Sequence, residues 1–288
     1  MKANLIVNPI AGNRAYRSIK KIEALLRQKV SFTTQVTRKK GDAFAFARDI
    51  TETDLVIVAS GDGTFNEVIN GMLSSKPEAT SYPLALIPLG TSNVLAKELN
   101  IPGDIEKAVH LSLTGTPKKI SLGRINGHYF SLMAGIGFDG ETVLKANDII
   151  KKMWGKGAYI FSGILVLKGY SPPLIQVKTP DGILTGYTAV VGKASYYGGP
   201  FQVTPGADIT KPLLDLCLLK SKTKKSLLKF ISGVITKRHM DLKDVIYRKF
   251  SKLEITSKDP VHVQIDGDYF GTLPVKIDAV QDVISIIW

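Results

Sequence analysis

The sequence has a single cysteine and no hydrophobic run long enough to cross a membrane. The cysteine, Cys217, lies in an apolar segment, where a buried and unreactive thiol is expected. Neither an intrachain disulfide nor a cysteine-based metal site can form, which favours the reducing cytoplasm. The longest apolar stretch, residues 157–167, has eleven residues, whereas a membrane-spanning helix needs about 20. The N-terminal apolar stretch is also too short for a signal peptide.

Acidic residues are scarce in residues 151–250, which contain 17 Lys and Arg but only 5 Asp and Glu. The whole chain carries a formal net charge of +13. A basic surface of this kind suits an anionic partner, either a nucleic acid or an anionic membrane. The sequence contains no base-reading motif and no aromatic-rich basic strand, so we expect no nucleic-acid partner. An anionic membrane surface is therefore the expected partner of the basic half.

The first 120 residues alternate between apolar strands and amphipathic helices. Continuous apolar runs are typical of strands that are covered on both faces of a sheet, and each run here is followed by a turn and a helical pattern. The alternation predicts an α/β domain with a mostly parallel sheet over residues 1–120. The predicted strand–helix pairs are 3–7 with 14–28, 30–36 with 42–49, 54–59 with 65–72, and 84–88 with 92–99.

The remaining residues, 121–288, show mainly strand patterns. Asn126-Gly127 is a strong hairpin turn signal. Short β-rich segments recur to the C-terminus, the last two at 275–277 and 283–287, and are interrupted by a basic helical segment at 223–239. We therefore predict a β-rich sandwich domain over residues 121–288, whose last strand is free to return to the first domain. An exposed strand edge would allow a homodimer.

Three loops that follow predicted strands carry residues suited to a polyphosphate. Ligands of parallel α/β sheets bind beyond the carboxyl ends of the strands. Glycines allow backbone N–H groups to face phosphate oxygens, and the helix after each loop contributes its positive dipole end. Asp62 repels phosphate but suits the Mg²⁺ that accompanies ATP, directly or through water. The three loops are 8–14, 60–67 and 88–93.

The common nucleotide-binding fingerprints are absent from the sequence. Instead, the three loops resemble, in order and spacing, the motifs of the diacylglycerol kinase catalytic domain, a family that includes bacterial lipid kinases and the sphingosine and ceramide kinases. Two later segments extend the resemblance over almost the whole chain. A related Gly-Asp-Gly pattern occurs in NAD kinases and phosphofructokinases, so the resemblance implies an N-terminal domain of that kind. The matching segments are NPIAG at 8–12, SGDGTFNEV at 60–68, PLGTSN at 88–93, AGIGFD at 134–139 and QIDGD at 264–268.

The resemblance implies a set of site residues. It makes Asp62 a catalytic group that holds Mg²⁺ with ATP, and it places the general base for a lipid hydroxyl at Asp266 or Asp268. Asp268 stands where the family usually has glutamate and reaches about 1.5 Å less far, so we favour Asp266 as the base. The implied ATP-binding residues are Asn8, Pro9, Ile10, Ala11, Gly12, Thr37, Ser60, Gly61, Asp62, Gly63, Thr64, Asn66, Glu67, Gly90 and Thr91.

A second departure from the family concerns a structural metal. Bacterial members typically hold a structural Mg²⁺ on a loop with Asp-Gly before a strand of leucines, which corresponds to residues 207–215 here. Lys211-Pro212 replaces Asp-Gly, so we expect this metal to be lost. Our hypothesis is that the Lys211 ammonium takes the place of the cation and pairs with carbonyl oxygens or with Asp208.

These patterns predict an ATP-dependent lipid kinase that uses Mg²⁺ and phosphorylates a diacylglycerol-like hydroxyl. We expect a cytoplasmic protein associated peripherally with the membrane. Two segments, 151–156 and 223–240, combine cations with apolar residues in the way that suits anionic lipid. Two alternatives stay open. One is a kinase of NAD or another small molecule, and the other is a catalytically silent, nucleotide-regulated lipid-binding protein.

Overall fold

The computed structural model describes residues 1–11, 15–74, 81–150, 167, 169 and 171–288. The chain divides into two compact units. No helix within the described residues is long and apolar enough to span a membrane. The first unit comprises Met1–Leu122, Ile209–Lys211 and Val280–Trp288, and the second comprises Gly123–Asp208 and Pro212–Ala279.

The first unit contains a parallel sheet in which the strand order is β2-β1-β3-β4. β3 and β4 are buried along their whole length, as expected for apolar strands covered on both faces. The elements of this part of the chain are β1 Lys2–Val7, α1 Ala15–Arg27, β2 Ser31–Val36, α2 Asp42–Arg48, β3 Leu55–Ser60, α3 Asp62–Ser74, β4 Leu84–Pro88, α4 Val94–Glu98, α5 Ile105–Thr114 and β5 Pro117–Ile125.

The core of the first unit forms where α1 and α5 meet the parallel sheet. α1 contributes Ile19, Ile22 and Leu26, which are three and four residues apart and therefore share one helix face. α5 contributes Ala108 and Val109 to the same cluster. This packing holds the strands in register and so fixes the positions of the loops at their carboxyl ends.

The second unit is a β-sandwich. One sheet is antiparallel with the order β14-β13-β10-β7-β16-β17, and the other layer contains β8, β9, β15 and the first part of β18. Apolar side chains from both layers form one buried cluster. The elements are β6 His128–Phe130, β7 Met133–Ile136, α6 Phe138–Ile150, β8 Ile175–Thr179, β9 Gly182–Gly186, β10 Thr188–Gly192, β11 Tyr196–Gly198, β12 Phe201–Gln202, β13 Leu214–Leu219, α7 Lys224–Ile235, a 3₁₀ turn His239–Asp241, β14 Val245–Phe250, β15 Lys252–Ser257, β16 His262–Ile265, β17 Asp268–Thr272 and β18 Val275–Ile287.

The predicted fold class is confirmed, with a mostly parallel α/β unit followed by a β-sandwich. The two predicted C-terminal strands are in fact one strand, β18, of 13 residues. β18 begins in the second unit, and its end pairs in parallel with β4 through Ile286 and Leu84 in the first unit. The sequence patterns also missed α5 and β14.

Candidate active site

Four loops lie at the carboxyl edge of the parallel strands, and we call them loop A (8–11), loop B (37–41), loop C (60–64) and loop D (89–93). They meet at one edge because the strands are parallel. Backbone hydrogen bonds join neighbouring loops as the chain leaves the sheet. These bonds run from Thr37 N to Val7 O (2.9 Å), from Asn8 N to Ala59 O (3.1 Å) and from Leu89 N to Ser60 O (2.9 Å).

Loops C and D touch through their glycine backbones. A Cβ atom at Gly90 would lie 2.6 Å from Gly61 Cα and 2.7 Å from the side-chain oxygen of Asn93. Real Cβ atoms do not approach other atoms so closely, so only glycine fits at Gly90. The contact brings together two of the motifs that the sequence singled out.

Asp62 fastens loop C to the helix that follows loop D. Its two carboxylate oxygens accept hydrogen bonds from Val94 N and Leu95 N, each at 3.0 Å. Asp62 therefore caps the first turn of α4, whose N–H groups have no partners within the helix. Asp62 is the residue predicted to hold Mg²⁺, and its contacts with α4 show a second, bracing role that the sequence did not indicate.

No group of three or more His, Cys, Asp and Glu side chains in the described part of the chain is arranged to hold a metal ion. Mg²⁺ bound with ATP needs only one or two carboxylates, since phosphates and water complete its coordination. The assignment of Asp62 to this Mg²⁺ thus stays a prediction. A metal ion bound to Asp62 would have to use carboxylate lone pairs that do not accept the hydrogen bonds from Val94 N and Leu95 N.

Asn8 and Glu67 connect two further loops to α3. Asn8 Nδ2 donates to Thr64 Oγ1 at 2.7 Å, and Asn8 Oδ1 accepts from Ile10 N at 3.1 Å. The two carboxylate oxygens of Glu67 accept from Gly41 N in loop B at 3.1 and 3.0 Å. Together with Asp62, these side chains join all four loops around the first turns of α3.

Loop A also contains Pro9, Ile10 and Ala11, and Ile10 is 85% exposed. Gly12, the last predicted residue of this loop, lies outside the described residues. Thr91 is exposed in loop D.

The remaining predicted ATP-binding residues belong to loops B and C or to α3. Thr37 and Ser60 are buried, and Ser60 Oγ donates to Gly61 O at 3.0 Å. Asn66 Oδ1 accepts from Asn70 Nδ2 at 2.8 Å along α3. Gly63 has open space at the position of a Cβ atom.

Two residues that shape these loops received no role from the sequence patterns. Asp42 accepts from Arg38 N (2.7 Å) and Lys39 N (3.1 Å) in loop B, and these bonds lower the pKa of its carboxyl group. Asn93 has a left-handed backbone (φ 45°), and its Nδ2 donates to Gly90 O at 2.8 Å. Asn93 Oδ1 is a buried acceptor with no hydrogen-bond partner among the described residues. A ligand donor at the junction of loops C and D would satisfy it.

In the second unit, Asp266 and Gly267 form the two-residue turn between β16 and β17. Both have positive φ values, 48° and 89°, which is the geometry of a tight type I′ hairpin. The carboxylate of Asp266 accepts four hydrogen bonds from the segment before β7. Their donors are Ser131 N (2.8 Å), Ser131 Oγ (3.2 Å), Leu132 N (2.9 Å) and Met133 N (2.9 Å).

These contacts bear on the choice of general base. The carboxylate of Asp266 accepts four hydrogen bonds that hold the hairpin. A general base, in contrast, needs an oxygen that a substrate hydroxyl can approach. Asp268, the first residue of β17, has an exposed side chain. The contacts therefore shift the preference from Asp266 to Asp268.

A buried carboxyl group supports the same hairpin. Asp139, at the start of α6, accepts from Gln264 Nε2 at 2.6 Å and from the hydroxyl of Tyr197. Gln264 Oε1 in turn accepts from Gly267 N at 2.8 Å. Burial raises the pKa of Asp139, while the two hydrogen bonds act in the opposite direction. The sequence showed Asp139 only as part of a matching segment, without a role.

The loop at 207–215 is contacted by ammonium groups from outside it, other than the expected one. Lys211 is exposed. The buried Lys193 donates from Nζ to Asp208 O at 2.5 Å. The buried carboxylate of Asp215 accepts from Lys249 Nζ at 2.7 Å and from Tyr247 Oη at 2.5 Å. The ammonium groups that contact oxygens of this loop are those of Lys193 and Lys249, and the hypothesis about Lys211 stays a prediction.

Comparisons with known proteins find relatives over nearly the whole chain. Residues 2–125 match the diacylglycerol kinase catalytic domain, and residues 133–288 match the YegS C-terminal NAD kinase beta sandwich-like domain. A diacylglycerol kinase of Bacillus subtilis is 30% identical over 285 residues, which covers 95% of this chain and 91% of that protein. A diacylglycerol kinase of Staphylococcus epidermidis is 27% identical over 291 residues, covering 99% and 91%.

Solved structures share the fold. A crystal structure of a diacylglycerol kinase from Bacillus anthracis superposes with a TM-score of 0.75 at 22% identity, over 100% of this chain and 96% of that one. A second structure from the same organism, named only provisionally as a diacylglycerol kinase, has a TM-score of 0.84 at 23% identity and covers 100% and 95%.

Proposed function

The chain belongs to the diacylglycerol kinase family, and from that premise we propose that it transfers the γ-phosphate of ATP to a diacylglycerol-like hydroxyl at a membrane surface. The observation that carries this proposal is the bracing of the four loops by Asn8, Asp62 and Glu67. Phosphoryl transfer depends mainly on positioning and on stabilising charge, so a preformed cluster of loops is the feature it requires.

The loops supply the groups that a triphosphate needs. The N-terminus of α3 directs its dipole and unpaired N–H groups toward loop C, which favours anionic ligands. The backbone contact of Gly61 and Gly90 keeps side chains away from this surface, so phosphate can approach the main chain. Because these loops are braced within the chain, little order has to be imposed when ATP binds.

Magnesium fits the site as an ion that arrives with ATP. When bound, Mg²⁺ would neutralise charge on the β- and γ-phosphates. Asp62 is the carboxylate of loop C and would orient the ion, directly or through water, while it keeps α4 in place.

On the acceptor side we assign the general base to Asp268. Its carboxylate is exposed at the start of β17, whereas that of Asp266 is bonded to four donors. Asp268 would accept the proton of the lipid hydroxyl as the oxygen attacks the γ-phosphate. The short Asp268 side chain places this oxygen near the backbone of the hairpin, which Asp266 and Gln264 hold rigid.

The test is transfer of label from γ-labelled ATP with Mg²⁺ to a panel of lipids in mixed micelles, beside NAD and other small-molecule acceptors. We expect label in diacylglycerol or a related lipid alcohol. Label in a small molecule alone would replace the proposal with the NAD-kinase-like alternative. ATP binding without any labelled product would replace it with a nucleotide-regulated lipid binder.

A further inference from the structure

The segment from Lys220 to Lys243 is the most basic part of the described second unit. It contains eight Lys and Arg residues and one acidic residue, Asp241. Asp241 lies 3.5 Å from Arg238 Nε. Lys225, Lys229 and Lys237 form no ion pair within the described part of the chain, so their charges face solvent.

The inner face of α7 is used for packing within the second unit. Leu227 is buried and pairs with Leu219, and Phe230, Ile231 and Phe138 pack against this pair. The end of the helix is held by the 3₁₀ turn, where Gly233 lies so close to His239 that a Cβ atom would be 2.8 Å from its Cα. α7 thus packs against the rest of the second unit through its inner face.

The outer face of α7 combines exposed apolar side chains with cations. Lys225, Leu228, Lys229 and Ile235 are spaced by three, four and seven residues and therefore share this face. Leu228 is 50% exposed and Ile235 is 58% exposed, and the neighbouring Met240 is 47% exposed. A shallow groove beside them is lined by Lys225, Leu228, Lys229 and Arg238, among others.

We propose that this outer face, formed by Lys225, Leu228, Lys229, Ile235, Lys237 and Met240, is the surface by which the protein docks on an anionic lipid bilayer. The inference rests on the proposed function, since a lipid substrate has to be reached at a bilayer. A row of lysines alone would also suit a nucleic acid. Exposed Leu, Ile and Met side chains suit the boundary between headgroups and acyl chains, and the face has no aromatic side chain on which bases could stack.

Docking through α7 would bring the acceptor-side residues of the same unit to the membrane. Phe138, which packs against the inner face of α7, precedes Asp139 in the chain. Asp139 and Gln264 support the hairpin that carries Asp268. One unit therefore contains both the docking face and the assigned base.

The experiment measures binding of the full chain to vesicles of phosphatidylcholine with phosphatidylglycerol, and to vesicles of phosphatidylcholine alone, at low and high salt. Each cation near the surface contributes about 1 kcal/mol. Lys225→Gln with Lys229→Gln should thus weaken binding about thirtyfold at low salt, because ~1.4 kcal/mol is a factor of ten. Leu228→Gln with Ile235→Gln should weaken binding at least tenfold at both salt concentrations.

Matched controls lie on other surfaces of the same unit. Lys178→Gln with Lys258→Gln removes the same charge, and Ile183→Gln removes a 65% exposed apolar side chain. Both control variants should bind vesicles like the parent chain. Equal losses in the α7 variants and the controls, or equal binding to vesicles of both compositions, would overturn the proposal. So would DNA binding as tight as vesicle binding.

Activity distinguishes this inference from the proposed function. Kinase activity on a short-chain diacylglycerol in neutral detergent micelles should be unchanged in the α7 variants, because no bilayer has to be reached. If no lipid is phosphorylated by the parent chain, the proposed function fails while the vesicle measurement still decides whether α7 docks on the bilayer. Loss of micelle activity in the α7 variants, with unfolding temperature unchanged, would contradict a role limited to docking.

Discussion

The side-chain amide of Gln264 donates to the buried carboxyl group of Asp139 across 2.6 Å. The same amide accepts from Gly267 N at 2.8 Å, in the turn between Asp266 and Asp268. One residue thus joins a buried titratable group to the hairpin that carries the assigned base. The geometry makes Gln264 a positioning residue, since it acts on Asp268 through the turn.

Gln264→Leu removes both hydrogen bonds while keeping a side chain of similar size. A carboxyl oxygen of the buried Asp139 loses its partner, which costs about 1–3 kcal/mol, whereas the N–H group of the exposed Gly267 can bond to water instead. We expect the free energy of unfolding to fall by about 1–3 kcal/mol in urea titrations, together with a lower kcat. Gln176→Leu, at an exposed position of β8, is the matched control and should change neither quantity. Equal stability of the two variants would show that the Gln264 contacts contribute little.

We expect the substitution Asp139→Asn to change how the free energy of unfolding depends on pH. Burial raises the pKa of Asp139 in the folded chain, so the folded state keeps its proton at a pH where the unfolded state has lost it. The parent chain therefore loses stability as pH rises from the ordinary value of 3.8 through the raised pKa. The Asn variant can donate to Tyr197 and accept from Gln264 without ionising.

Relative to the parent chain, the Asn variant should gain about 1.4 kcal/mol per pH unit across that window and level off above it. Urea unfolding of both proteins between pH 4 and pH 8 measures the difference. If the two proteins differ in free energy of unfolding by the same amount at every pH in this range, Asp139 has the same pKa in the folded and unfolded chain.

The parts of the fold that the sequence predicted are those governed by local pattern. β3 and β4 are continuous apolar runs between turn signals, and they occur close to the predicted positions. β18 was predicted as two strands because its middle, around Asp282, is polar and partly exposed, which interrupts the apolar pattern without ending the strand. α5 was missed although Asp104 caps it and five of its ten residues are apolar.

The candidate site was predictable in its composition but not in its bonding. Glycine-rich loops after parallel strands have to meet at one edge, so the sequence predicted that these loops lie together. The partner of Asp62 lies 32 residues along the chain, and the partners of Asp266 lie about 135 residues away. A local sequence pattern does not indicate pairs so far apart in the chain. The hydrogen bonds by which Asp266 holds the hairpin were therefore visible only in the folded chain.

Asp62→Ala tests whether the cap on α4 serves the ATP site. Loss of an N-cap costs about 0.5–2 kcal/mol, and it also separates loop C from α4. We expect this loss of stability together with at least tenfold weaker binding of Mg-ATP, measured by calorimetry. Asp104→Ala is the control, because Asp104 caps α5 through Lys107 N at 3.0 Å. It should lose similar stability but bind ATP like the parent chain, and equal loss of ATP affinity in both variants would assign the effect to general destabilisation.

The last prediction separates the two carboxylates of the hairpin. Asp268→Asn removes the assigned base, so its main effect should be a fall in kcat of about 10²–10⁴. Asp266→Asn replaces one of the two oxygens that accept from Ser131, Leu132 and Met133, so its main effect should be a fall in stability of about 1–3 kcal/mol. Steady-state kinetics with a short-chain lipid and thermal unfolding of the same samples measure both effects. Asp268→Glu, which restores the length usual in the family, should keep activity well above that of Asp268→Asn. If Asp266→Asn is instead fully stable and inactive while Asp268→Asn is active, the base is Asp266 and its hydrogen bonds must open during the reaction.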